Sequence, residues 1–168
     1  ARYRTVVEDQ TEMICRYLPD GTITFVNEAY CRNAGRRREE LIGVSFKERI
    51  PREDVRTVEE PLASLSPEHP IVTYQRPVVK PDGEVHWQQW TDRAIFDRDG
   101  KVVEYQSIGR DITDLVRAEQ ALRDERDFAE SLIETAQTIV LVLDTHGRIV
   151  RFNPYMEEIS GYKLTEVQ

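Results

Sequence analysis

The chain contains an internal repeat: when residue 153 is placed on residue 27, the beginning aligns with the end without a gap. Residues 13–17 then face residues 139–143, and both segments are rich in apolar side chains. The identical positions mark the ends of local structure, and they pair Gly21 with Gly147, Asn27 with Asn153, and Gly35 with Gly161. Glycine serves tight turns and helix ends, and asparagine caps helix starts. The same unit is therefore predicted to fold twice.

Each repeat unit predicts a strand, a turn, a second strand and a short helix. In the first copy, residues 13–17 and 22–26 favour strands, the second being rich in β-branched and aromatic side chains. Pro19-Asp20-Gly21 favours a tight turn between them. Asn27 is expected to cap a helix that ends near Gly35.

The middle of the chain predicts two short helices and then three strands. One helix is expected over residues 38–42, and another within residues 53–65, where Pro61 limits its length. The strands are expected over residues 71–80, 84–96 and 101–110, joined by turns at Pro81-Asp82-Gly83 and Asp99-Gly100. Pro77 predicts an edge position or a bulge for the first of these strands.

From residue 111 the hydrophobic period changes to that of a long helix without internal glycine or proline. Its apolar side chains recur at heptad spacing, interrupted by Glu125, and form a seam of Leu115, Ala118, Leu122, Ala129 and Leu132. The pattern is typical of an amphipathic helix on its own domain and of a coiled coil with a second chain. Mixed charges beside the seam favour the coiled coil, and hence a homodimer.

Composition excludes several classes of function. The net charge of −8 disfavours contact with nucleic acid and with anionic membrane surfaces. The longest apolar run, residues 139–143, is far shorter than the roughly 20 residues of a membrane-spanning helix. Two cysteines without a CxxC pair indicate neither a disulfide framework nor a zinc site, and a cytoplasmic location is expected. The three histidines share no helical face, so no metal site is expected.

Three segments, taken with the order of the elements, resemble the PAS family of sensory domains. They are Asp20-Gly21-Thr22-Ile23-Thr24-Phe25-Val26-Asn27, Pro81-Asp82-Gly83-Glu84-Val85-His86-Trp87, and Gly109-Arg110-Asp111-Ile112-Thr113. The resemblance implies an α+β fold, a five-stranded antiparallel sheet with short helices on one face, followed by a long linker helix. It implies a sensory domain over residues 1–112, the linker helix over 113–136, and the N-terminal part of a second, truncated domain over 137–168.

The truncated second copy raises a physical problem, because its two strands would lack the partners that complete a sheet. A lone hairpin is marginal in water. We therefore expect residues 137–168 to pair with another chain, to pack on the first domain or to be poorly ordered, and the sequence to be a piece of a longer protein.

The resemblance also implies a ligand pocket between the sheet and the short helices. Side-chain alternation along the strands then gives the candidates Tyr74, Arg76, Val78, Gln88, Trp90, Asp92, Tyr105 and Ser107, with Val58 and Leu62 from the helix side. Haem in the best-known subgroup needs a histidine within residues 53–65, where this chain has none. Cys31 follows Tyr30 and not the asparagine of the photoreceptor motif. Neither haem nor covalent flavin is expected. The cofactor is unknown, and a small organic ligand, a non-covalent flavin and no ligand at all stay open.

The predicted pocket face is unusually polar for a pure core. Buried polar groups are costly unless they are paired. Two interpretations stay open: Arg76 and Asp92 form a structural ion pair, or the polar groups await a polar ligand.

The resemblance implies a sensor of a small ligand or a redox cue. A change in the pocket would pass through Asp111, Ile112 and Thr113 to the linker helix, and then to an output domain in the same polypeptide. That output would resemble a histidine kinase or a cyclic-di-GMP enzyme. The alternative is a ligand-free dimerisation module. An enzyme using Asp92 as a base is not expected, because no nucleophile, metal set or phosphate loop accompanies it.

Overall fold

The computed structural model describes residues 10–52, 54–80 and 83–167. It divides into two compact units, of which the first ends at Asp114 and the second begins at Leu115. Residues 1–9 of the predicted first domain, and Pro81 and Asp82 of the predicted turn, lie outside the described residues.

The first unit is a five-stranded antiparallel sheet with short helices, which confirms the predicted fold class. In chain order its elements are β1 (Met13–Tyr17), β2 (Ile23–Val26), α1 (Glu28–Ala34), 3-10 turns at Arg38–Glu40 and Phe46–Arg49, α2 (Val55–Ala63), β3 (Ile71–Val79), β4 (Val85–Phe96) and β5 (Val102–Asp111). The strands lie in the order β2-β1-β5-β4-β3. β3, which carries Pro77, is therefore an edge strand, as the sequence predicted.

The long helix α3 (Thr113–Thr135) begins directly after β5. The second unit then contains β6 (Leu141–Leu143), β7 (Ile149–Phe152), α4 (Pro154–Ser160) and α5 (Leu164–Val167). β6 and β7 form an antiparallel hairpin, and the side chains of β6 are exposed. The expectation that residues 137–168 pair with another chain, pack on the first domain or are poorly ordered stays a prediction.

The short helix predicted over residues 38–42 is present as a 3-10 helix, which covers only Arg38–Glu40. Gly43 follows with a positive φ of 83°, and its N–H donates to the Ile23 carbonyl of β2 over 2.8 Å. This bond turns the chain back towards the sheet before a regular helix can form.

The two asparagines of the repeat have the same role in both units. Asn27 is fully buried, and its Oδ1 accepts hydrogen bonds from the N–H groups of Ile14 (2.9 Å) and Tyr30 (3.0 Å). Asn153 Oδ1 accepts from the N–H groups of Val140 (3.0 Å) and Met156 (3.4 Å). Each asparagine thus caps a helix and ties it to a preceding strand or segment, so the sequence repeat is also a repeat of hydrogen bonds.

Candidate functional site

A cavity of about 250 Å³ lies in the first unit between the sheet and the short helices. Its floor comes from β1, β3, β4 and β5, and its other walls from α1, the Phe46–Arg49 turn and α2. Most of the predicted pocket residues meet here: Tyr74, Arg76, Val78, Gln88, Trp90, Asp92, Ser107 and Val58 all line the cavity. The volume is just below the range of about 300–1,000 Å³ that is usual for sites of small organic molecules.

Two predicted pocket residues do not line the cavity. Tyr105 and Leu62 are partly buried side chains packed against the hydrophobic core. The ring of Tyr105 stacks on that of Tyr17, with the centroids 5.1 Å apart, so the lining position is taken by Tyr17.

Further residues on β1 and α1 also line the cavity, and these were not predicted from the sequence. Met13, Cys15 and Tyr17 of β1 line it, together with Tyr30 and Asn33 of α1. The three β1 residues alternate with Ile14 and Arg16, so the period of two in the sequence contained the signal. The positions on α1 could not be read from the sequence, because they depend on how that helix packs against the sheet.

Asp92 is the most deeply buried charged group at the cavity, with 1% of its surface exposed. Its Oδ1 accepts hydrogen bonds from the hydroxyls of Tyr17 (3.2 Å) and Ser107. Its Oδ2 is buried and has no hydrogen-bond partner among the described residues. Burial raises the pKa of Asp92 to about 6, although the hydroxyls of Tyr74 and Tyr17 oppose that rise.

The expected ion pair between Arg76 and Asp92 is not formed. In the described part of the chain Arg76 has no carboxylate within 4.0 Å, and its buried Nε has no hydrogen-bond partner. The strand register explains the difference, since Arg76 pairs with Gln88 and Asp92 with Val72, four residues further along β3. Burial lowers the pKa of Arg76, because its charge is poorly solvated in this position.

Gln88, by contrast, has a protein partner at each end of its amide group. Its amide N–H donates to Asn33 Oδ1 over 3.2 Å, and its Oε1 accepts from the Trp90 ring N–H over 3.1 Å. This network joins β4 to α1 and closes one side of the cavity. Among the described residues of the β3–β4 face, the buried side-chain atoms without a hydrogen-bond partner are therefore on Arg76 and Asp92.

The thiol of Cys15 in this cavity is not suited to act as a nucleophile, and the cavity is better suited to binding. Cys15 is 4% exposed, and burial together with the nearby negative charge of Asp92 raises the pKa of its thiol. Burial likewise raises the pKa of the Tyr17 and Tyr74 hydroxyls. The thiol stays protonated and unreactive near neutral pH, and the hydroxyls stay neutral hydrogen-bond donors.

The predicted relay residues form a connected junction at the end of β5. Asp111 Oδ1 accepts hydrogen bonds from the N–H of Thr113 (3.0 Å) and from its hydroxyl. The N–H of Ile112 donates to the Trp87 carbonyl over 2.8 Å, and the Trp87 N–H donates to the Thr113 hydroxyl oxygen over 2.9 Å. The start of α3 is therefore attached both to the end of β5 and to β4.

A further contact at this junction was not foreseen. His86 Nδ1 lies 2.8 Å from Asp111 Oδ2, and His86 Nε2 lies 3.5 Å from Glu84 Oε2. Burial alone would raise the pKa of Asp111, but hydrogen bonds from Thr113 and His86 outweigh it and lower the pKa to about 2. The sequence shows only that His86 and Asp111 lie on separate strands, and their contact depends on the β4–β5 register.

The predicted seam along α3 is exposed. Leu115, Leu122 and Leu132 each have more than half of their surface in solvent, and Ala118 and Ala129 are exposed as well. Phe128, which the heptad analysis left out, is also exposed beside Ala129. None of the helices in the described ranges combines the length and the apolar character needed to cross a membrane.

Comparison with protein families gives two matches. A family model described as "PAS fold" matches residues 7–117, about two thirds of the chain. A second, described as "PAS domain", matches residues 128–168. The two matches fall on the two copies of the repeat.

Among curated proteins, the two-component sensor PprA of Pseudomonas aeruginosa is 32% identical over 121 residues, which are 72% of this chain and 13% of that protein. The bacterioopsin transcriptional activator of Halobacterium salinarum is 24% identical over 134 residues, 79% of this chain and 19% of that protein. The chain thus spans less than a fifth of the length of either relative.

Among solved structures, a sensory box histidine kinase/response regulator from Burkholderia thailandensis superposes with a TM-score of 0.61 at 21% identity. The match covers 79% of this chain and all of that one. At this level of identity the likeness concerns the fold.

Proposed function

Since this chain belongs to the PAS family of sensory domains, we propose that its first unit binds a small ligand in the cavity and relays that event through α3. The relay runs through Asp111, Ile112 and Thr113 to an output domain in the same polypeptide. In this proposal the chain itself is not an enzyme, and it acts in the cytoplasm.

The observation that carries the proposal is the pair of buried, unmatched polar atoms at the cavity. Asp92 Oδ2 and Arg76 Nε have no hydrogen-bond partner in the described residues, although buried polar groups are paired in most proteins. Leaving such a group unpaired costs about 1–3 kcal/mol. A cost of this kind is expected at a functional site, where a ligand supplies the missing partners.

A continuous chain of contacts supports the relay. Asp92 holds Ser107 of β5, and Ser107, Gly109 and Asp111 lie on the same face of that strand. A ligand that donates a hydrogen bond to Asp92 would therefore act on the strand that ends in Asp111. Coupling requires that the ligand bind two states of the junction with different affinity.

The type of output is argued from the relatives. One relative is named a two-component sensor, and the aligned part is 13% of its length. We propose that this chain likewise belongs to a longer signalling protein, with a histidine kinase or a cyclic-di-GMP enzyme as the output.

Native mass spectrometry combined with hydrogen exchange tests this function. The mass of the freshly purified chain should exceed its denatured mass by that of a small organic molecule. Removal of this molecule should change exchange at residues 109–116, where β5 meets α3. A chain that purifies without added mass and whose junction exchanges identically after incubation with cell extract metabolites would contradict ligand sensing.

The exposed seam on α3 favours a second candidate, a ligand-free dimerisation module. Its three leucines would be buried if two copies of α3 paired as a coiled coil. A dimer in native mass spectrometry with no bound molecule would favour this candidate over the sensor. A dimer with a bound molecule would be consistent with the sensor and its linker acting together.

A further inference from the structure

The cavity presents two buried polar atoms that need opposite partners. Asp92 Oδ2 is a carboxylate oxygen that accepts hydrogen bonds, and Arg76 Nε is a guanidinium nitrogen that donates one. Neither has a partner among the described residues, and both side chains line the same cavity. A ligand that satisfies both must carry a donor and an acceptor.

The two side chains start from separate positions on the cavity floor, and each charge still acts on the pKa of the other group. Asp92 is paired with Val72 and Gln88 with Arg76 in the β3–β4 register. Val72 and Arg76 are four residues apart, so their Cα atoms lie about 13 Å apart at roughly 3.3 Å per residue. Tyr74 lies between them on the same face, opposite Trp90, and its hydroxyl is near enough to Asp92 to act against the rise in the pKa of that carboxyl. The donor and the acceptor of the ligand must therefore be separated, and not on adjacent atoms.

The end near Arg76 carries a net positive charge, although the carboxylate of Asp54 is near enough to act on the pKa of Arg76. Lys80, which follows β3, also lines the cavity, and its Nζ lies 3.5 Å from the Asn33 carbonyl oxygen. Two cations at one end favour an anionic group of the ligand there, and guanidinium groups pair especially well with carboxylates. A phosphate dianion fits less well, because Asp92 would repel its second charge from the other end.

The region between the two ends is apolar and aromatic. The lining side chains that form it are Met13, Tyr30, Phe46, Val58, Val78 and Trp90. Such walls bury an apolar ligand body and exclude a ligand that is polar along its whole length.

Resting on the proposed sensory function, we propose that the ligand is a small carboxylic acid with an apolar body and a hydroxyl or ammonium donor at its far end. Its carboxylate binds Arg76, and its donor binds Asp92 Oδ2. Tyr17 and Ser107 keep Asp92 Oδ1 occupied, so they orient the carboxylate with Oδ2 towards the ligand.

Two matched sets of compounds test this assignment by isothermal titration calorimetry on the purified chain. The first set is para-hydroxyphenylacetate, phenylacetate, which lacks the donor, and tyrosol, which lacks the acid. The second is ε-aminocaproate with caproate, which lacks the donor. We expect at least one of the two complete acids to bind, and the analogue that lacks a polar end to bind about tenfold more weakly or worse.

Variants then assign each end of the ligand to its residue. Arg76→Gln should weaken the complete acid about tenfold and leave tyrosol unchanged, whereas Arg93→Gln, an exposed arginine on the opposite face of β4, should have no effect. Asp92→Asn should weaken the complete acid and leave the donor-free analogue unchanged, and Asp99→Asn is its control in an exposed turn. Circular dichroism of each variant checks that it is folded.

The outcomes separate this assignment from the broader function. Binding of neither complete acid, or equal binding of each acid and its truncated analogues, would overturn the assignment. If native mass spectrometry then shows a bound molecule without an acid group, ligand sensing stands and the ligand class is wrong. If the purified chain carries no added mass and its junction exchanges identically after incubation with cell extract metabolites, both the assignment and the sensory function fail.

Discussion

The hydroxyl oxygen of Thr113, the first residue of α3, accepts a hydrogen bond of 2.9 Å from the backbone N–H of Trp87 in β4. The Thr113 side chain is buried, and its own hydroxyl proton is directed to Asp111 Oδ1. One side chain thus joins the helix that leaves the domain to both strands of its last hairpin. Leu115, an apolar residue in the first turn of the same helix, is by contrast 57% exposed.

Replacing Thr113 with valine should therefore destabilise the first unit. Valine has nearly the same shape, but it leaves the Trp87 N–H without its acceptor, which costs about 1–2 kcal/mol. Urea denaturation measures the change. Thr113→Ser should restore most of the stability because it keeps the hydroxyl.

Thr135→Val at the other end of α3 is the matched control. The Thr135 hydroxyl donates only to the Ser131 carbonyl in its own helix and is exposed, so its loss should cost less than about 0.5 kcal/mol. Equal costs for the two valine variants would show that the Trp87 contact has no special weight.

Asp111 should make the junction sensitive to acid. Burial acts against ionisation, but the hydrogen bonds from Thr113 and His86 lower the pKa of Asp111 to about 2, below its ordinary 3.8. Because the pKa is lowered in the folded state, the ionised carboxylate stabilises the fold at pH values above the ordinary pKa of 3.8. That stabilisation is lost as the pH falls from 3.8 through about 2. Because Asp111 is partly exposed, we expect Asp111→Asn to lose about 1 kcal/mol near neutral pH and progressively less below pH 4.

Denaturation of wild type and variant at several pH values measures this difference. Asp114→Asn serves as the control, since it removes a charge from the same helix turn without touching His86 or Thr113. If the difference in the free energy of unfolding between wild type and Asp111→Asn stays constant from neutral pH to about pH 2, the ionised carboxylate does not stabilise the junction.

Asp92 should have the opposite dependence on pH. Burial raises its pKa to about 6, so between 3.8 and 6 the folded state binds more protons than the unfolded state. Stability therefore falls as pH rises through this window. Asp92→Asn keeps an oxygen acceptor for Tyr17 and Ser107 but cannot ionise. The free energy of unfolding of this variant should therefore lack a decrease on the order of 2–3 kcal/mol that wild type shows over this pH window.

The measurement is the free energy of unfolding from about pH 4 to pH 7 for Asp92→Asn, the exposed Asp99→Asn and wild type. We expect wild type and Asp99→Asn to decline in parallel and Asp92→Asn to decline least. Parallel curves for all three would mean that Asp92 is not buried as an ionised group near neutral pH.

The parts of the fold that the sequence predicted are those with local signals. The turn glycines, the capping Asn27 and the heptad of α3 lie within a few residues of the structure they specify. The Asp92 interactions were not predictable, because Tyr17, Ser107 and Asp92 come from three strands that are distant in sequence. Sharing one face of the sheet suggested an Arg76–Asp92 pair, but the register separates them by four residues. The alternation of side chains along a strand predicts which residues share a face of the sheet. Which of those residues are neighbours depends on how the strands pair.

Gly109 illustrates such a long-range requirement, because it lies on β5 directly opposite Trp90 of β4. A Cβ added at Gly109 would lie 2.6 Å from the Trp90 ring, closer than any van der Waals contact allows. Gly109→Ala should therefore displace Trp90, which also lines the cavity, and destabilise the first unit by about 1–3 kcal/mol.

A double-mutant cycle with Trp90→Leu checks this cause. In the Trp90→Leu background the ring is absent, so Gly109→Ala should cost much less, and the coupling energy should exceed about 1 kcal/mol. Since Trp90 also holds Gln88 through its ring N–H, the displaced ring in Gly109→Ala should weaken ligand binding as well as stability. Additive effects of the two substitutions would show that β5 tolerates the added methyl group without moving Trp90, and that the glycine is not required for the shape of the cavity.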